Sequence, residues 1–107
     1  MTTFDKREKG FEKKFQRDKD LEFRAMARRN KLLGLWAAEF LGLEGDAADA
    51  YAREVVQSDF DEPGDEDVFR KVFGDLQDKG ADVADHRLRK QMEILFEEAL
   101  EQVRGES

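Results

Sequence analysis

The run from Ala27 to Leu43 (ARRNKLLGLWAAEFLGL) constrains the fold more than any other stretch. Leu32, Leu33, Leu35, Trp36, Ala37, Ala38, Phe40, Leu41 and Leu43 are all apolar, in a chain that is 42% charged. On a helical wheel these positions cover most directions rather than one stripe. A helix apolar on most sides has to be surrounded by other elements. The run therefore predicts a central helix, from about Asp20 or Leu21 to about Gly42, with further helices packed around it. The expected fold is all-α: a four-helix bundle over residues 21–104, preceded by an arm over residues 1–20.

The remaining helices follow from periodicity and caps. A second helix is expected over 47–57, behind Asp46 as N-cap. Ala47, Ala50, Tyr51, Glu54, Val55 and Ser58 would form its inner side. A third is expected over 65–79, with Val68, Phe69, Val72, Phe73 and Leu76 on one face and Gly80 just past its end. A fourth is expected over 83–104, capped by Asp82, with Leu88, Met92, Leu95, Phe96, Ala99, Leu100 and Val103 inward. His86 reads as a surface or boundary residue. Tyr51 reads as a core residue with its hydroxyl at the edge. Arg24, Arg28, Arg29 and Lys31 read as a solvated face, but cations in the N-terminal half oppose the helix dipole, which keeps a site for an anion or an acidic partner open.

Residues 1–20 are different. Twelve of the twenty are charged, which is normally the composition of a disordered segment. Yet Phe4, Phe11 and Phe15, spaced by seven and four, make one narrow helical stripe. Thr2 and Asp5 resemble a capping box. Asp5–Lys9 is a favourable i,i+4 pair; Lys9–Lys13 and Lys13–Arg17 are unfavourable. Gly10 costs roughly 1 kcal/mol of helix stability relative to alanine. The arm is expected to be marginally helical or disordered when free. Its phenylalanines either pack on the domain or stay in solvent, or they anchor in a partner's groove as the arm folds on binding. The stripe also runs on through Glu22 to Met26 and Leu33, so the arm can extend the central helix in register.

Composition removes several functions. The 107 residues bound the chain to one domain. There is no cysteine and a single histidine, so neither a disulfide framework nor a thiolate or multi-histidine metal site is available. No apolar run reaches the ~18 residues of a membrane span, and no signal peptide is visible; the expectation is a soluble, cytoplasmic protein. The net charge of −7 argues against general nucleic-acid binding. Residues 44–67 alone carry ten acids and one base. Asp59, Asp61 and Gly64 fit a calcium loop, but Pro63 breaks it and Arg70 stands where the bidentate glutamate belongs, so no metal is expected. No phosphate-cradling glycine loop and no nucleophile–base pair is present. No catalytic residue, cofactor site or enzyme activity is expected. The pattern reads as an interaction protein: a helical body with a charged arm carrying aromatic anchors. Two other classes stay open, a peripheral membrane binder with the arm as interfacial helix and a small-ligand-binding bundle.

Four stretches resemble a known family: 27–43 above, DAYAREVV over 49–56, GDEDVFRK over 64–71 and FDKREKGFEKKF over 4–15. The last follows the family's F-D-x-R-E-x-x-F-E-x-K-F pattern. The chain resembles the zeta-subunit inhibitor of the alphaproteobacterial F-type ATP synthase. The resemblance implies a four-helix bundle whose N-terminal segment inserts as a helix into a catalytic interface of the synthase head. There it meets the alpha and beta subunits, approaches the gamma rotor, and blocks ATP hydrolysis while leaving synthesis largely free. It implies attachment, through the synthase, to the cytoplasmic face of the inner membrane, and weak nucleotide binding in some members. Position by position, Phe4, Arg7, Glu8, Phe11, Glu12, Lys14 and Phe15 fall on the family pattern, with Lys6, Lys13 and Arg17 beside them. Gly10 departs from it, since a better helix former such as alanine is expected there.

Overall fold

The apolar run lies in the longest of four helices. A computed structural model of the protein describes residues 2–59 and 65–106, with side chains from Asp18 onward. The elements are α1 (Thr2–Leu41), α2 (Gly45–Ser58), α3 (Asp65–Lys79) and α4 (Asp85–Glu106), and there is no strand among the described residues. The remainder of the acidic turn, including Asp61, Pro63 and Gly64, lies outside the described residues. Among the described residues no helix is long and apolar enough to cross a membrane.

Helix α1 touches all three others, α2 and α4 over the greatest length. Leu33 and Ala37 of α1 meet Tyr51 and Val55 of α2, Val68, Phe69, Val72 and Leu76 of α3, and Leu88, Met92 and Leu95 of α4 in one buried cluster. Leu32, Trp36, Phe40, Leu41 and Leu43 pack against it, half-buried. A second cluster joins Ala25 of α1 to Ala99 and Val103 of α4, flanked by Leu21, Leu32, Phe96 and Leu100. Full burial of a leucine or valine side chain is worth ~1.5–3 kcal/mol, so these two clusters hold the body together.

Two helix ends explain the sharp turns. Gly42 adopts φ 74°; its N–H bonds Glu39 O, and the N–H of Leu43 returns to Ala38 O at 2.9 Å. Gly80 repeats the pattern with φ 79° and Ala81 N–H on Leu76 O at 2.9 Å. Both are Schellman ends, which satisfy last-turn carbonyls and fold the following residue back onto the core.

The inner side of α2 differs from the expectation. Tyr51, Ala52 and Val55 are buried, whereas Ala47 and Ala50 are exposed. The covered face runs through the half-buried Ala48 to Tyr51, Ala52 and Val55, and Glu54, also expected inside, is exposed, as a carboxylate without a buried partner must be. Ala52 is buried because Gly34 lets the helices approach: a Cβ on Gly34 would lie 2.6 Å from Ala52 Cα. The helix also starts at Gly45, with Glu44 at the N-cap making no side-chain cap bond, so Asp46 is a first-turn acid instead. Likewise α4 starts at Asp85, after the Val83 N–H bonds Ala81 O and before Leu88 N–H bonds Ala84 O. Asp82 therefore stands too far upstream to be its N-cap.

The cross-links between helices are polar at the rim. The Tyr51 hydroxyl donates to Asp75 Oδ2 at 2.8 Å, and Lys71 Nζ reaches the same oxygen at 3.2 Å. Burial, then the Asp75 carboxylate, pushes the Tyr51 phenol far above its ordinary pKa. Arg89 grips Glu66 with two N–H bonds of 2.9 and 3.4 Å and lies 3.8 Å over the Phe69 ring.

Three outcomes follow for stability. Gly34→Ala should lower the melting temperature although alanine is the better helix former, because overpacking at a backbone contact costs about 1–3 kcal/mol. Gly74→Ala should raise it by a few degrees: a Cβ there meets nothing within 4 Å, and the helix gains roughly 1 kcal/mol. The Glu66 carboxyl titrates below its ordinary value because Arg89 hydrogen-bonds it. Its contribution is fully present above the unfolded value of ~4.3 and is lost as pH falls through the lower folded value. Carboxyl-detected NMR titration should find Glu66 returned to the ordinary value in Arg89→Ala.

Candidate functional site

The proposed anchors share one helix with the core. Phe4, Lys6, Arg7, Glu8, Phe11, Glu12, Lys13, Lys14, Phe15 and Arg17 all belong to the first half of α1, and their side chains lie outside the described residues. Their positions around the axis follow from 3.6 residues per turn. Phe4, Phe11 and Phe15 fall within a sector of ~40°. Arg7 and Lys14 sit on one flank of it, Glu8 and Glu12 on the other, and Lys6, Lys13 and Arg17 on the opposite side.

Followed along α1, the same sector contains Glu22, Met26, Arg29, Leu33 and Phe40. From Arg29 onward this sector faces the other helices: Leu33 is fully buried, Arg29 is 3% exposed, and Phe40 packs on the core, while Glu22, nearer the arm, is exposed and Met26 half-buried. Burial along α1 begins at Leu21 and Ala25. The three phenylalanines stand on the extension of the line that is core-facing from Arg29 to Phe40, separated from it by the exposed Glu22. Phe40, in that line, meets Trp36 with ring centroids 4.8 Å apart.

Of the cations after the arm, Arg24 and Lys31 are exposed as expected, Arg28 is half-buried and Arg29 is buried. Arg28 bonds Gln102 Oε1 at 2.9 Å and Glu106 Oε1 at 2.6 Å, and Arg24 reaches Glu106 Oε2 at 3.5 Å. These partners occupy the last turns of α4, whose C-terminal dipole is negative and favours cations, whereas α1 begins at Thr2 and so puts Arg24 and Arg28 far from its own positive end. Arg29 turns inward. Its Nε donates to Asn30 Oδ1 at 3.0 Å and its guanidinium to Asp65 Oδ1 at 2.9 Å. A charge this deeply buried needs such partners, and the pair ties α1 to the start of α3. Arg29 was recoverable from the sequence by its place in the Phe15–Leu33 line; reading it with its charged neighbours hid that.

Two shallow grooves flank α1. One of about 630 Å³ lies along α2, lined by Lys31, Asp49, Ala52, Arg53, Val56 and Gln57. The other, about 430 Å³, runs between α1, the start of α3 and α4, past Met26, Arg29, Asp65, Arg89 and Phe96. His86 is exposed. Among the described residues no three His, Cys, Asp or Glu side chains gather around a metal-sized space.

A model of the family described as ATPase inhibitor subunit zeta matches residues 1–102, arm and body together. No curated protein matches the chain. A protein whose structure was determined in solution by NMR is 50% identical, with a TM-score of 0.71, over 81% of this chain and 99% of that one. The match covers all of α1, arm and covered half alike, together with α2, α3 and most of α4, and the chain belongs to the ATPase inhibitor subunit zeta family.

Proposed function

We propose that the protein restrains ATP hydrolysis by the F-type ATP synthase through residues 1–20, which enter a catalytic alpha/beta interface of the head as a helix and reach toward the gamma rotor. Residues 21–104 form the folded body that presents them. Synthesis is left largely free. The protein works in the cytoplasm, held at the inner membrane by the synthase. It is a regulator rather than an enzyme.

The observation that carries this reading is the register of α1. In the body, the other helices bury Leu33 and half-cover Phe40 in this sector. In the arm, the same sector holds Phe4, Phe11 and Phe15. What the body supplies to its own half of the stripe, a groove between helices must supply to the other half, and that is the helix-in-groove mode of recognition. Arg7 and Lys14 on one flank, with Glu8 and Glu12 on the other, orient such a helix between walls of opposite charge.

Two measurements test it. With purified synthase head, the full chain should suppress ATP hydrolysis, and a chain lacking residues 1–19 should not. Phe11→Ala and Phe15→Ala should each weaken inhibition about tenfold or more, the scale of a buried aromatic anchor, while Lys9→Ala changes little; equal effects of all three contradict anchoring. Gly10→Ala should tighten inhibition, since the inserted helix gains roughly 1 kcal/mol; an unchanged inhibition constant would mean that the arm is not helical when bound.

A further inference from the structure

Phe23 is 66% exposed, although it lies on α1 beside the buried Ala25. It rims a small cavity of about 80 Å³ at the open end of the α1–α2 seam, walled by Met26, Ala27 and Val56. Two polar groups complete the lining, Asn30 and Asp59. Asn30 is fully buried; its oxygen is occupied by Arg29, but its Nδ2 has no hydrogen-bond partner among the described residues. Asp59 Oδ1 is likewise buried and unpartnered among the described residues. A buried donor or acceptor left unpaired costs about 1–3 kcal/mol. One cavity therefore holds an unused donor, an unused acceptor, apolar walls and an exposed aromatic at its mouth. That combination is the anatomy of an interface hot spot.

The lining restricts what can enter. A carboxylate has no proton for Asp59 and would face its charge. An ammonium has no acceptor for the Asn30 amide. A single hydroxyl leaves much of the space empty, since a water-sized group takes ~30 Å³. A carboxamide offers one acceptor and one donor on neighbouring atoms, fits the volume, and carries no charge into the cavity. We propose that this cavity is a second docking point for the synthase head, receiving an asparagine or glutamine side chain of the head under the Phe23 ring. This rests on the proposed function, because Phe23 follows the arm on the same helix. It lies eight residues beyond Phe15, ~12 Å along the axis, and about a quarter-turn round from the phenylalanine stripe. A head that encloses the arm meets Phe23 at the edge of that contact.

The test uses the full chain and purified synthase head. Phe23→Ala removes the exposed ring, and Ala27→Leu fills the mouth of the cavity with a good helix former; neither changes the arm. Each should weaken binding to the head by about tenfold or more, with melting of the free protein unchanged. A photo-crosslinking residue at position 23 should label the head next to an asparagine or glutamine. Wild-type affinity in both variants, or labelling confined to the protein itself or to head residues with no carboxamide beside them, overturns the docking point and leaves the arm's role standing. Failure of the unaltered protein to bind the head overturns both.

Discussion

Between Leu32 and Leu43, α1 carries apolar residues around most of its circumference, and water cannot be left against them. That constraint organises the body. Three helices are the smallest set that covers such a surface from several sides, and α2, α3 and α4 do so with Tyr51, Val55, Val72, Leu76, Leu88 and Met92. The outer faces of the three are then free to carry the charge that dominates the composition. On either side of Ala25, near where α1 loses its covering, the last turns of α4 hold it through Arg24 and Arg28, which meet Glu106 and Gln102.

The helical class, the core faces of α3 and α4 and the glycine ends at Gly42 and Gly80 were legible because each rests on a local rule: a 3.6-residue period or a backbone that needs φ above zero. What escaped depends on a neighbour that lies far off in sequence. Ala52 is inside because Gly34 leaves room for it, and no pattern within α2 announces that contact. Arg29 is inside because Asp65, 36 residues away, meets it there. Among four close-set cations, charge alone argues for solvent, and only the angular position separates Arg29 from Lys31, which stays exposed.

The arm was legible in a different sense. Its aromatic spacing identifies a stripe, and its charge says that the stripe is not enough to hold a fold alone. The family match extends over both parts of the chain, from residue 1 to residue 102. A family of ATPase inhibitors built on a body with an unusually polar surface is consistent with a division in which the body supplies stability and the arm supplies contact.

Continuity of α1 from Thr2 to Leu41 bears on how the arm can order. Starting a helix from coil is the unfavourable step, since three residues are fixed for the first hydrogen bond, whereas each added residue then costs little. Here the first turns already exist, clamped among three other helices. Lengthening toward Phe4 is therefore propagation from a template, with Gly10 as the weakest link on the way. A detached twenty-residue peptide would have to begin from nothing and would give up that advantage, even with every contacting residue retained.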